Sequence, residues 1–302
     1  MPKKSIPNLS VVIVILGGRQ YIPRCLNALN QQKNAPSMEI IIPCDDRISD
    51  LNLLRREFPH VSFIEAKGRL TYAELRAIGF GAAVGDVIAL TEDHCLPDPA
   101  WSANIMSEHR NGVAALGGPV DKKDSDSILN WAVYLSDFSR YMNPVTDGPS
   151  EYLTDCNVSY KRQALEEVAD LWKDEFHETT VNWALQDRGK KLRLSHNVVV
   201  NQQRSLSYQA ALRERYAFGR LFASTRVAAT GAGKRLFYAL FSVLLPFLFV
   251  ARVAKNVFQK RRAIGRFVLT APVIFLLGIF WAWGEFVGYL SGRPEASLNP
   301  DF

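Results

Sequence analysis

Two periodicities alternate over the N-terminal third of the chain, and few architectures accept that pattern. Val11 to Leu16 is an unbroken apolar run rich in β-branched residues, while Tyr21 to Gln32 sets Ile22, Cys25, Leu26 and Leu29 on one helical face. Short apolar strands follow at Glu39 to Ile42, Val61 to Ile64 and Val87 to Leu90, with a helical segment from Leu70 to Ala83 that Gly85 ends. Strands joined through helices require right-handed crossovers, which build a parallel sheet whose ligands gather at the carboxyl ends of the strands. Lys3 and Lys4 before the first apolar run imitate a secretion signal. The run is short and β-branched, however, and Arg19, Gln20 and Tyr21 follow it, so it reads as a buried first strand.

Two acidic clusters fall at such strand ends. One is "DDRISD", with Asp45, Asp46, Ser49 and Asp50; the other is "TEDH", with Glu92, Asp93 and His94. Alone, either could be a solvated turn whose side chains bond local amides. Together in one sheet they suit a different task, because carboxylates and a neutral imidazole can ligate magnesium or manganese, and such an ion can hold a diphosphate. No GxxxxGK[ST] or GxGxxG loop occurs, so a glycine cradle for phosphate is unsupported and the metal route is favoured.

The order of motifs from Leu9 to Arg226 resembles the family 2 glycosyltransferases, nucleotide-sugar-dependent enzymes of the GT-A fold. The resemblance implies an α/β catalytic domain over residues 1–226, a Rossmann-like and mostly parallel sheet flanked by helices. "SVVIVI" and "YIPRCLNALNQQ" are similar to the family's opening strand and helix, without the proline common at that strand end. "DDRISD" is similar to its DDGSTD, which implies that Asp45 reads the donor nucleobase, with Asp46 beside it. "ELRAIGFGAAVGDVIALTEDHCLPDPAW" is similar to the stretch holding the family's arginine and DxD motif. It implies donor contacts from Arg76 and Asp93, and places Glu92 and His94 on the two D positions as ligands of a divalent cation, manganese or magnesium. A histidine there removes one negative charge and keeps a nitrogen ligand.

"TDCNVSYKR" resembles the family segment beside donor sugar and acceptor, which implies Asp155 and Asn157 at the sugar. "FHETTVNWALQDRGKKLRLSHN" is similar to FxEDTDLxxRLxxxG; aligned on Leu185 and Gly189, it places His177 on the glutamate, near the acceptor, and Glu178 on the general-base aspartate. A sugar hydroxyl is a poor nucleophile until a positioned carboxylate takes its proton, so Glu178 is the expected base. Its competing reading is a helix-start acid that favours the macrodipole. "RERYAFGR" loosely resembles the QxxRW region of membrane-associated relatives; Arg215 and Arg220 there suit either a diphosphate or a basic interfacial helix.

Charge is unevenly spread. Between Ser205 and Arg266 stand twelve lysines and arginines against the single acid Glu214, a net of +11 that leaves −5 for the remainder of this +6 chain. The same region holds the longest apolar runs, 236–251 and 267–290, so its expected partner is an anionic membrane surface and not nucleic acid. The second run is long enough to span; the first, with Pro246, is a tilted span or a re-entrant helix. Residues 227–302 are accordingly expected to anchor the chain. Four scattered cysteines without CxxC spacing indicate a reducing compartment. The expectation is an inverting glycosyltransferase at the cytoplasmic (inner) membrane, its catalytic domain facing the cytosol, moving a sugar from a nucleotide-diphosphate donor to a hydroxyl of a lipid-linked glycan. Two rivals stand: transfer to a polyprenyl phosphate, and a catalytically silent GT-A membrane scaffold.

Overall fold

A computed structural model of the chain describes residues 6–16, 18–123, 126–227 and 231–291. Contacts divide the chain into two compact units, Met1–Lys122 with Tyr141–Gln203, and Lys123–Arg140 with Arg204–Phe302.

The first unit begins with β1 (Leu9–Val14), α1 (Ile22–Asn30), β2 (Met38–Cys44), α2 (Leu51–Glu57), β3 (Val61–Glu65), α3 (Tyr72–Ala82) and β4 (Val87–Glu92). It continues through β5 (Cys95–Pro97), α4 (Trp101–His109), β6 (Ala115–Gly117) and β7 (Val120–Asp121). The second unit's α5 (Ile128–Phe138) interrupts it, after which come β8 (Gly148–Pro149), β9 (Asn157–Lys161), α6 (Arg162–Glu166), α7 (Glu178–Asp187), β10 (Leu192–Leu194) and β11 (Val200–Gln202).

An eight-stranded sheet runs β3-β2-β1-β4-β9-β6-β10-β8. Its first four strands are parallel, as the alternation predicts, with Val11 opposite both Ile40 and Ala89. β9 then enters antiparallel to both β4 and β6. All six residues of β1 are buried, which explains why it reads as a continuous apolar run and not an alternating one. Helix α3 starts on a capping box, Thr71 accepting from the Glu74 amide while the Glu74 side chain takes the Thr71 amide. Across the sheet, Phe80 stacks on Phe176 at 4.1 Å and Tyr160 packs edge-on at 5.8 Å from Phe176. Burying each such ring stabilises the fold by about 1.5–3 kcal/mol. A small second sheet, β5-β11-β7, holds the chain just after β4, where the Gln203 amide donates to the His94 carbonyl at 2.8 Å.

The second unit is helical: α5, then α8 (Tyr208–Val227), α9 (Ala232–Phe241), α10 (Leu245–Lys260) and α11 (Ile264–Ser291). The unit boundary differs from the 226/227 division expected from sequence. Arg215 explains part of that difference, since its guanidinium makes two 2.6 Å bonds to Asp137 and so ties α8 to the segment 123–140. Glycines explain the rest: a side chain at Gly284 or Gly288 would strike the α8 backbone at Tyr216 or Arg220. Two helical stretches, Ala232–Lys260 and Ile264–Ser291, are long and apolar enough to cross a membrane. Both are longer than the runs 236–251 and 267–290 read from sequence.

Candidate active site

Four separate segments of the first unit supply one charged cluster. β4 ends at Glu92, α3 offers Arg76 from the turn after its cap, Asp155 precedes β9, and Glu178 is the first residue of α7. Arg76 Nη2 lies 2.6 Å from Asp155 Oδ2 and 3.5 Å from Glu92 Oε1, and its charge also acts on Glu178. Three carboxylates thus act on one guanidinium, two of them in contact with it. Arg76 is buried, and its Nε has no partner among the described residues, so the donor face of this arginine is only partly used.

Electrostatics at the acids follow from this shortage of cations. Burial pushes the Glu92 carboxyl above its usual range, Asp155 adds to the rise, and His94, Arg76 and the Cys156 hydrogen bond oppose it. Glu178 is raised in the same way, first by burial and then by Asp155, against the Thr179 hydroxyl and Arg76. Its Oε1 accepts from that hydroxyl at 2.6 Å. His177, one residue earlier, is exposed at the helix N-cap and turns to Glu175 at 3.3 Å. Of these two neighbours, Glu178 is the one coupled to the cluster.

At the second acidic motif, His94 Nε2 lies 3.3 Å from Glu92 Oε2, and Nδ1 lies 3.2 Å from Asp93 Oδ1. Burial disfavours the imidazolium, but the Cys95 sulfur, the Asp93 hydrogen bond and the charges of Glu92 and Asp93 outweigh it and lift the His94 pKa to about 9. Asp93 is fully buried and also accepts from the Leu16 amide at 3.0 Å, so it braces the ends of β1 and β4 against each other. Ligand atoms of Glu92, His94 and Cys95, and likewise of Glu92, Asp155 and Cys156, lie within 4.8 Å of one another. Those oxygen and nitrogen donors fit a divalent cation. Neither thiol was legible as a site residue. The only signal was adjacency, Cys95 following His94 and Cys156 following Asp155.

Asp45 stands at the end of β2 with its carboxylate already engaged. Arg47 Nε lies 3.0 and 2.9 Å from its two oxygens, Arg47 Nη2 lies 2.6 Å from Oδ2, and the Leu70 amide donates at 3.0 Å. Burial opposes the charge, yet the Arg47 and Leu70 hydrogen bonds hold the carboxyl below its ordinary value. Asp46 accepts from the Gly68 amide at 3.0 Å. Arg47 occupies the place of the glycine in the family's DDGSTD, and that departure was the available signal for its role.

Asn157 departs from expectation. Its Oδ1 accepts from Trp101 Nε1 at 2.9 Å, and its Nδ2 donates to the Pro119 and Val198 carbonyls at 2.9 and 2.6 Å. Both amide hydrogens are used, so this side chain joins β9 to its neighbours and has no donor left for a sugar. Arg215, offered by the loose QxxRW likeness, belongs to the second unit and is committed to Asp137.

The model of the family "Glycosyl transferase family 2" matches residues 10–169. No curated protein matches the chain in sequence. Among solved structures, it is similar to the mannosyltransferase PcManGT from Pyrobaculum calidifontis in complex with GDP-Man and Mn2+, with 15% identity, TM-score 0.57, and coverage of 92% of this chain and 87% of that one. It is also similar to TarS 1-349 of S. aureus in complex with UDP-GlcNAc, with 13% identity, TM-score 0.50, and coverage of 94% and 90%. These likenesses show the GT-A fold. With the family model covering more than half of its length, the chain belongs to glycosyl transferase family 2 and is a nucleotide-sugar-dependent glycosyltransferase.

Proposed function

We propose that the chain is an inverting glycosyltransferase that moves a sugar from a nucleotide-diphosphate donor to a hydroxyl of a lipid-linked glycan at the cytosolic face of the inner membrane. The observation that carries the chemistry is Glu178: a half-buried acid at the start of α7, lifted above its usual pKa by burial and by Asp155, within the field of Arg76. A base works best when its pKa lies near the working pH, and this environment moves a carboxylate in that direction. Glu178 takes the acceptor proton as the hydroxyl attacks the anomeric carbon in a single displacement. Arg76 meets the diphosphate through its guanidinium. Asp45, held by Arg47, faces the nucleobase, and Asp46 and Asp93 keep the donor loops in place.

Glu92 and His94, with Asp155 nearby, would hold the divalent cation, which supplies positive charge to the departing diphosphate. The related mannosyltransferase with GDP-Man and Mn2+ supports this donor class and a role for a cation. His177, exposed beside Glu178, is left to the acceptor. The apolar C-terminal stretches and the +11 charge of 205–266 support a membrane-bound acceptor.

Glu178→Gln keeps size and removes basicity. Loss of general-base assistance costs about 10²- to 10⁴-fold, so kcat collapses by that order while donor affinity holds. Glu178→Asp retains partial turnover. Normal turnover by Glu178→Gln with a hydroxyl acceptor sinks the assignment; normal turnover confined to a polyprenyl phosphate acceptor selects that substrate instead, since a phosphate needs no base.

A further inference from the structure

The second unit contains a long helical hairpin. Residues 232–260 run antiparallel to α11: Arg235 Nε donates to the Tyr289 carbonyl at 3.0 Å near one end, and Phe258 meets Phe267 at 6.0 Å near the other. Midway, Gly278 has no room for a side chain because Pro246 lies against it.

One side of this hairpin is covered along its length by helices that carry charge. Toward the chain termini of the hairpin, α8 packs on α11 backbone to backbone through Gly219, Gly284 and Gly288. Toward its turn, α5 and the residues just after it take over. Arg266 lies 5.6 Å over the Trp131 ring, Arg252 reaches the Ser136 carbonyl at 3.4 Å, and Asn256 bonds Ser139 at 3.1 Å. Both covering helices carry ion pairs, Arg215 of α8 to the part-exposed Asp137 of α5 at 2.6 Å, and Arg204, just before α8, to the buried Glu214 at 2.8 Å.

The opposite side is apolar and open. Phe237, Leu240, Val243 and Phe247 on the first arm, and Val268 on the second, are between 52 and 68% exposed. On the first arm they recur at three- to four-residue spacing, a single helical stripe. A spanning hairpin would meet lipid on every side and carry the ion pairs of α5 and α8 into hydrocarbon, where unsatisfied or poorly solvated charge costs several kcal/mol. Length bears on the first arm alone, since the second run, 267–290, is long enough to span. The uncharged stretch 236–251 rises about 24 Å at 1.5 Å per residue, short of a core about 30 Å thick. Charge argues against two spans: Lys234 and Arg235 stand at one end of the hairpin, and Lys255, Lys260, Arg261 and Arg262 at the other, so a two-span hairpin would put one cationic cluster outside.

We infer that the hairpin is a one-leaflet anchor that lies in the plane of an anionic cytosolic leaflet, its exposed stripe among the acyl chains and both basic ends against lipid headgroups. This rests on the membrane reading above. The occupant of the apolar face is lipid and not a protein, because cations bracket the face at both ends and complement anionic headgroups.

The test uses the full chain in intact cells. All four native cysteines are buried, and Gly265, at the hairpin turn, has open space around it. Gly265→Cys should resist a membrane-impermeant maleimide until the cells are broken, and a C-terminal epitope tag should be equally protected, with the protein in the membrane fraction. Labelling of Gly265→Cys in intact cells overturns the in-plane hairpin in favour of two spans. Outside exposure of the tag alone overturns it in favour of one span. Each of these two results leaves membrane binding intact, whereas recovery in the soluble fraction removes the membrane reading itself. In vitro, the purified chain should float with phosphatidylglycerol-containing vesicles and be lost from pure phosphatidylcholine vesicles. Equal flotation with both overturns the headgroup assignment.

Discussion

Arginine plays opposite parts in the two units. Around Arg76, three acids from three segments act on one guanidinium, and two of those carboxyls are raised. Around Arg215, one acid bonds the guanidinium in a two-bond fork of 2.6 Å contacts, and Glu214 adds its charge. The first unit thus gathers more acids than cations at one place, while the second sets one acid in a fork on one arginine and leaves apolar side chains open.

The comparison breaks most visibly under charge removal. Arg215→Met leaves Asp137, 29% exposed, without its partner and should cost stability, though less than the ~3–5 kcal/mol of a fully buried pair broken from one side. Adding Mn2+ should not restore it. Arg76→Met leaves Asp155 at a similar 27% exposure, so what sets it apart is its response to Mn2+, since a cation near Glu92, His94 and Asp155 replaces the lost charge. Chemical unfolding of both variants with and without Mn2+ checks this. The same ion response in both, or none in either, would erase the distinction between the two arginines.

How far the sequence went also differs between the units. β1 to β4 with α1 and α3 were legible because each carries enough residues to show a period, and the strand ends marked where acids would matter. The second sheet was not, since β5, β7 and β11 have two or three residues each and no period to read. Positions of the site residues came through family resemblance, but their partners did not. Whether Asp45 is free or clasped by Arg47, and whether Asn157 meets a sugar or Trp101, depends on segments far away in the chain. The C-terminal helices were visible from composition alone. The covering of one side of them by α5 and α8 was not, because α5 lies more than a hundred residues earlier.

A middle-sized effect concerns a histidine that shares the first unit with the site and takes no part in it. His109, at the end of α4, lies 2.9 Å from Ser159 Oγ, and burial, with Lys161 adding, pulls its pKa down to about 4 against the help of the Val113 carbonyl. The folded chain holds it neutral where the unfolded chain protonates it. Its stability contribution is therefore present above about pH 6.5 and is lost as pH falls toward 4, up to about 3 kcal/mol at roughly 1.4 kcal/mol per pKa unit. Urea unfolding at pH 7 and pH 5 should show the loss, and His109→Gln should flatten it. An unchanged pH slope in that variant moves the acid sensitivity elsewhere, with the raised acids of the Arg76 cluster as the next group to remove.

The smallest expected effect probes whether the fold of the first unit holds its unbalanced cluster in place. Thr71 caps α3 and Arg76 projects from the next turn, so the cap fixes the helix end from which the guanidinium reaches Asp155. Thr71→Ala removes one half of the capping box and should cost about 1 kcal/mol of stability. Because the helix frays from that end, the same change should loosen Arg76 and weaken donor binding without touching Glu178, so KM for the nucleotide sugar rises while kcat holds. Thr71→Ser keeps the hydroxyl and should restore both. A variant that loses the stability but keeps its KM would show that Arg76 is positioned by its own ion pairs with Asp155 and Glu92, and that the helix end contributes only to the fold.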